Sequence, residues 1–136
     1  MRSVKIKAAV ENLDTVIAFI DEQLEAADCP MKTQMQIELA VEEIFVNIAH
    51  YAYAPETGMA VISVDISGSR AVITFEDSGI PYDPLAKPDP DTTLAAEDRG
   101  VGGLGIFMVK KSMDDVIYEY REGKNILTLV KELAPL

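Results

Sequence analysis

Hydrophobic and polar positions change period several times along this chain, and each change marks an element. Over residues 3–9, Val4, Ile6 and Ala8 alternate with Lys5 and Lys7, the two-residue period of a half-buried strand. From Leu13 the apolar positions become Val16, Ile17, Ile20 and Leu24, a single helical stripe with Asn12 placed to cap it. Asp28-Cys29-Pro30 ends that helix. A longer helix is predicted over 31–53, burying Ile37, Val41, Ile44, Phe45, Ile48 and Ala52, until Pro55-Glu56-Thr57-Gly58 breaks it. Two β-rich runs, 60–66 and 71–76, then form a hairpin around Ser67-Gly68-Ser69-Arg70.

Residues 78–103 break the periodicity. They hold Pro81, Pro84, Pro88 and Pro90 together with Gly79, Gly100, Gly102 and Gly103, which marks an ordered-on-demand loop or lid. A short helix is expected over 104–113. A last hairpin, 115–120 and 125–131, turns at Arg121-Glu122-Gly123-Lys124. The order β-α-α-β-β-loop-α-β-β predicts an α+β two-layer sandwich, a mostly antiparallel mixed sheet with about three helices on one face. No internal repeat or second domain shows, so residues 1–136 are expected to form one domain with a mobile lid at 78–103.

Composition narrows the function classes. At 136 residues, a single domain buries roughly two-thirds of the surface its unfolded chain exposes. No apolar run approaches the roughly 20 residues of a membrane helix, and the start of the chain alternates where a signal peptide would be continuously apolar. The only cysteine, Cys29, fits a reducing cytoplasm; no nearby cation in sequence marks it as a reactive thiol. Twelve basic residues against 23 acidic ones give a net charge of −11, which supplies no surface for nucleic-acid phosphates. Direct nucleic-acid binding and membrane association are therefore not expected. The acidity suits solubility and the steering of a basic protein partner.

Three segments carry candidate chemistry. Glu43 and Asn47 are four apart and share a helix face, far from the centre of the apolar stripe. An Asn oxygen is a suitable Mg²⁺ ligand where phosphates and water complete the octahedron, and the neighbouring carboxylate can take a proton from a hydroxyl. Alone, the pair also fits a solvated face in an acid-rich run. Asp77 ends an apolar strand, where an acceptor-only carboxylate wants a donor such as the exocyclic amine of adenine. Gly79 lets the backbone approach a flat ring closely, although Asp-Ser-Gly also makes ordinary turns. Finally, Gly100-Val101-Gly102-Gly103-Leu104-Gly105 matches the dinucleotide pattern G-x-G-x-x-G but lacks the strand before it and the βαβ unit around it. What remains is a set of amides at a helix N-terminus suited to phosphate, or a flexible connector.

In order and spacing these segments resemble the ATPase superfamily of gyrase, a heat-shock chaperone, histidine kinases and MutL, and within it the small bacterial anti-sigma-factor serine kinases. The resemblance covers nearly the whole chain. It implies that Glu43 is the catalytic Glu and Asn47 the Mg²⁺-binding Asn of the E-x-x-x-N box. It further implies that Asp77 meets adenine, with Gly79 beneath the ring. Pro81-Tyr82-Asp83-Pro84 is similar to the family's P-F-D-P run, which brings in Tyr82. The second glycine box falls on Gly102-Gly103-Leu104-Gly105-Ile106-Phe107-Met108-Val109, with Gly100 before it and Arg99 as the nearby arginine. Met113-Asp114-Asp115-Val116 and Asn125-Ile126-Leu127-Thr128 continue the match. Where many relatives carry a His four residues after the box Asn, this chain has Tyr51, and the adjacent His50 is given no catalytic role.

What the resemblance implies for function is a cytoplasmic, ATP- and Mg²⁺-dependent serine/threonine protein kinase of the anti-sigma type. It would bind ATP or ADP, phosphorylate a small antagonist protein, take a sigma factor as a further partner, and form a homodimer. A different class of function uses the same residues: a nucleotide-gated module that sequesters a regulator without phosphotransfer. The detached catalytic module of a histidine kinase fits less well, since the chain has no room for dimerisation helices carrying a phosphoacceptor His.

Overall fold

A computed structural model describes residues 1–86 and 104–133, and of Leu104 the backbone alone. Five strands form one sheet: β1 (Arg2–Lys7), β2 (Met59–Ser67), β3 (Arg70–Asp77), β4 (Asp115–Arg121) and β5 (Lys124–Glu132). Their spatial order is β1-β2-β3-β5-β4, which places β3 in the middle. Every pairing is antiparallel, so the expected mostly antiparallel sheet has no parallel pair among the described strands. Three helices, α1 (Leu13–Ala26), α2 (Met31–Asn47) and α3 (Leu104–Ser112), complete the α+β sandwich.

The alternation along β2, β3 and β5 decides which face the helices cover. Ile62 stands opposite Phe75 and Val64 opposite Ile73, while Leu127 and Leu129 continue the same rows on β5. These side chains are buried against Val16, Ile20 and Leu24 of α1, Ile37, Val41, Ile44 and Phe45 of α2, and Ile106 and Val109 of α3. The four-residue steps of α1 are thus its core stripe. On the opposite face of the sheet, Ser63, Thr74 and Thr128 share a row, and the Ser63 and Ser3 hydroxyls hydrogen-bond at 2.9 Å.

Element ends follow local chemistry, with two departures from the sequence pattern. Asn12 stands before α1 but does not cap it: its Nδ2 donates to the Lys7 carbonyl at 2.9 Å, because a short 3₁₀ turn (Val10–Asn12) intervenes. α1 closes as a Schellman motif. Asp28 adopts φ 56°, the Cys29 N–H donates to Leu24 O at 3.0 Å, and the Asp28 N–H to Glu25 O at 3.1 Å. The second departure concerns the helix expected over 31–53. α2 stops at Asn47, and Ile48–Ala52 widen into a single π turn. Glu122 and Gly123 both have positive φ, 53° and 77°, the twist that a two-residue β4–β5 hairpin turn requires.

Of the expected lid, residues 78–86 are described and include a 3₁₀ turn, Pro84–Ala86. The remainder lies outside the described residues.

Candidate functional site

Residues from the C-terminal end of α2, the end of β3 and the start of β5 meet and build a cleft. Asn47, the last residue of α2, donates from Nδ2 to Glu43 Oε1 at 3.2 Å, one helical turn back. Both side chains are half-buried. The shared face expected from the four-residue spacing is therefore a direct contact. Glu43 also lies against α3: a Cβ on Gly105 would strike its carboxylate. That glycine makes room for an acid between two helices.

The π turn after Asn47 puts Tyr51 at the mouth of the cleft, tilted against Tyr82 with ring centroids 6.2 Å apart. His50 is exposed and meets the edge of Tyr51 at 6.0 Å. At the end of the turn, the Ala52 carbonyl accepts the Ile80 N–H at 2.9 Å. Gly79 presses on the same residue, since a Cβ there would collide with the Ala52 backbone. The direction a Gly79 side chain would take is thus filled by protein. Tyr53 adds a third tie: its hydroxyl donates to Met59 O at 2.6 Å and accepts the Ser78 N–H at 2.8 Å.

Asp77, at the end of β3, is 7% exposed. Its Oδ1 accepts the Gly79 N–H at 2.9 Å and Asn125 Nδ2 at 2.9 Å, while Oδ2 takes no hydrogen bond among the described residues. On so buried a residue, a carboxylate oxygen left without a protein donor is available to a ligand. Asn125, equally buried on β5, has no free capacity: Nδ2 also donates to Ile80 O at 2.8 Å, and Oδ1 accepts the Tyr82 N–H at 3.1 Å and the Tyr118 hydroxyl at 2.5 Å. Burial, above all, pushes the Tyr118 phenol above the usual tyrosine range; the Tyr82 amide pulls it down, and Asp83, Asp77 and Tyr120 push it further up. It therefore stays protonated and a donor at neutral pH.

The cleft between these groups is an open slot of about 450 Å³, counting the solvent in its mouth. Ile44, Ile48, Phe75 and Leu127 form its apolar walls, and Asn47, Asp77, Tyr82, Tyr118 and Asn125 supply its polar groups. Of the residues singled out in the sequence, Asn47, Asp77 and Tyr82 come together on this lining. Glu43 and Gly105 lie beside it, joined to it through Asn47, and Gly79 supports it from the Ala52 side. Leu104 opens α3. Arg99, Gly100, Gly102 and Gly103 lie outside the described residues, and with them most of the expected phosphate cradle. Asn125 is the residue that sequence reasoning missed as a site. Its only signal is an amide at an inward position of a strand, beside hydrophobic Leu127 and Leu129.

Comparison with known proteins places the chain. The model of the histidine kinase-like ATPase domain matches residues 6–131. The chain belongs to that family. The serine/threonine-protein kinase BtrW of Bordetella bronchiseptica is 27% identical over 106 residues, covering 76% of this chain and 74% of BtrW. The serine-protein kinase RsbW of Bacillus cereus is 27% identical over 95 residues, covering 67% of this chain and 59% of RsbW. The match therefore spans under two-thirds of that RsbW. Among solved structures, the RsbU and RsbW domains of a Mycobacterium tuberculosis protein superpose with a TM-score of 0.65 at 16% identity, covering 100% of this chain and 34% of theirs. At that identity the likeness speaks for the fold alone.

As a histidine kinase-like ATPase domain, the chain belongs to a family of nucleotide binders. Asp77 lines the cleft with its hydrogen bonds among the described residues on Oδ1 alone, which leaves Oδ2 as an acceptor that a ligand's amine could use. With Nδ2 directed to Glu43, Asn47 Oδ1 is an oxygen that could serve a metal ion. Among the described residues no group of three or more His, Cys, Asp or Glu could hold a metal ion. Cys29 plays no part: burial first, and Asp21 second, push its thiol above the usual range. Among the described residues no helix is long and apolar enough to cross a membrane.

Proposed function

We propose that this chain is a cytoplasmic ATP-dependent serine/threonine protein kinase that phosphorylates a small antagonist protein. Through that protein, and a sigma factor as a further partner, it regulates transcription. The observation that carries the reading is one cleft lined both by Asp77, a buried residue whose hydrogen bonds among the described residues all fall on Oδ1, and by an asparagine, Asn47, that holds Glu43 one turn away. In this reading the apolar walls take the purine, Asp77 Oδ2 accepts its exocyclic amine, and Asn47 Oδ1 holds Mg²⁺. Bound Mg²⁺ would neutralise phosphate charge. Glu43 accepts the proton of the Ser or Thr hydroxyl, and Asn47 keeps its carboxylate aimed. The names of BtrW and RsbW support the reading at the level of the family.

Calorimetric titration of ATP and ADP, with and without Mg²⁺, tests the binding half on wild type and Asp77→Asn. Charge-assisted hydrogen bonds are worth about 1.5–3 kcal/mol, so the variant should bind about 10- to 150-fold more weakly. Equal affinity would refute the role of Asp77. A second reading, a nucleotide-gated binder that sequesters its partner without phosphotransfer, is favoured by one feature: Glu43 lies beside the cleft and not on its lining. Labelled ATP decides between them: label on a Ser or Thr of a captured partner supports the kinase, and a labelled-nucleotide complex without transfer supports the binder.

A further inference from the structure

We propose that Asn125 is a positioning residue that locks the Ile80–Tyr82 segment to Asp77, so that ligand capture and the order of that segment become one event. The inference deepens the nucleotide reading, and rests on it for the identity of the ligand. Its geometric basis is independent of it. Asn125 sits on the neighbour of β3, 48 positions away from Asp77 in sequence, and its amide touches three separate pieces of chain. It donates to Asp77 Oδ1 and to the Ile80 carbonyl, at 2.9 and 2.8 Å. It accepts from the Tyr82 N–H and from the Tyr118 hydroxyl.

Two donors and two lone pairs are what a primary amide offers, and all four are used on groups at or beside the cleft. A hydroxyl has a single proton and cannot serve both Asp77 and Ile80. A carboxylate has none, and would face Asp77 as a like charge. The network acts on Asp77 by occupying Oδ1 and leaving Oδ2 as the ligand's acceptor. It acts on the segment by fixing a carbonyl and an amide two residues apart, immediately beyond the Gly79–Ala52 contact. A ligand that pulls on Oδ2 therefore pulls on a unit that includes the backbone of Ile80 and Tyr82. By linkage, anything that orders Ile80–Tyr82 raises affinity at Asp77 by the same factor. Ile80 is 62% exposed at the edge of this unit, so a protein docking there would feel whether the cleft is filled.

The test uses ADP as probe, with Asn125→Asp, Asn125→Leu and Tyr118→Phe beside the wild type, and reads both ADP affinity and hydrogen exchange at the Tyr82 amide. Asn125→Asp keeps the shape and the acceptors while removing both donors. It sets a carboxylate against Asp77, with Tyr118 in contact and Asp83 and Tyr120 nearby. Two carboxyls in contact share one proton, so the loss should be greatest at high pH and recover on acidification. We expect ADP binding to fall about 30-fold at pH 8 and to regain about tenfold by pH 6, a slope the wild type lacks. Exchange at the Tyr82 amide should rise about tenfold in Asn125→Leu, which removes the acceptor of that amide as well as both donors, a lost hydrogen bond of roughly 1.4 kcal/mol. Tyr118→Phe, which removes only a hydroxyl, should weaken ADP by about threefold to tenfold and raise Tyr82 exchange less than Asn125→Leu does, because the amide keeps Asn125 Oδ1.

Wild-type ADP affinity in Asn125→Asp together with unchanged Tyr82 exchange in Asn125→Leu would overturn the proposal. Should the wild type itself not bind ADP, the nucleotide reading fails. The Tyr82 amide then decides the lock without it, because its exchange in Asn125→Leu needs no ligand. If Asn125→Asp does not fold, loss of ADP affinity in Tyr118→Phe supports the lock and full affinity refutes it.

Discussion

The two ends of the cleft are built on opposite plans. At the β3–β5 end, Asp77 and Asn125 are each 7% exposed and lie within a network of hydrogen bonds to backbone, phenol and amide. At the α2–α3 end, Glu43 and Asn47 are half-buried and share a hydrogen bond at 3.2 Å, with Gly105 of α3 close against the Glu43 carboxylate. Under the proposed function the contrast would separate recognition from chemistry. A densely bonded network would define where a flat ring and its amine go. A sparse one would leave an acid and an amide free to reorganise around phosphates and an incoming hydroxyl.

If that division is right, damage at the sparse end should leave binding intact. The largest effect is expected for Glu43→Gln: transfer of label from ATP should fall about 10²–10⁴-fold, with nucleotide affinity within about twofold of wild type. Gly105→Ala should fall in the same direction for a mechanical reason. The added methyl meets only the end of a flexible side chain, so Glu43 is displaced and the fold survives. The double variant should then be no slower than Glu43→Gln alone; additive losses in single-turnover rates would disprove the contact.

At the rigid end the sensitive quantity is stability. Gly79→Ala drives a methyl into the Ala52 backbone, which cannot swing aside. It should cost about 1–3 kcal/mol in denaturant unfolding, and an unchanged midpoint would show that the joint yields.

The smallest effect lies away from the cleft, at the α1–α2 seam. Glu38 is pushed up to about 7, first by its hydrogen bond with Asp21, then by burial, then by the charges of Asp21 and Glu25. Asp21 Oδ1 is buried there with no hydrogen-bond partner recorded among the described residues, and a proton held between Asp21 and Glu38 is what such an oxygen needs. The folded chain holds this proton more tightly than the unfolded one. Its contribution is thus complete below the ordinary carboxylate range and is lost as pH rises toward 7. Melting temperature should fall from pH 5 to pH 8 by a few degrees in the wild type and less in Glu38→Gln. Parallel curves would exclude the shared proton.

Much of this was legible because single periodicities carried it. The four-residue steps of Val16, Ile20 and Leu24, and the alternation around Ile62 and Ile73, fix which faces are buried, and with them the layers. Glu43, Asn47 and Asp77 stood out as polar residues at places where only a ligand or a neighbour could use them. What escaped detection depends on tertiary contact. Asn125 follows a hairpin turn, where an amide is unremarkable until β5 is seen beside β3. The π turn has no signature in the helix pattern, because Ile48 and Ala52 suit either winding. Asn12 had the chemistry of a cap but found the Lys7 carbonyl first.

The strand order has a consequence for synthesis. β3 is the middle of the finished sheet, flanked by β2 and β5, yet β5 is the last of the five strands in sequence. While the ribosome works through the residues between Asp77 and Asn125, β3 is an edge with an unpaired row of amides and carbonyls, the kind that attracts stray strands. Net negative charge is a general safeguard against such encounters, and this chain carries −11. The strand that closes the sheet also brings Asn125 to Asp77, so the nascent chain gains its ligand site at the moment its exposed edge disappears.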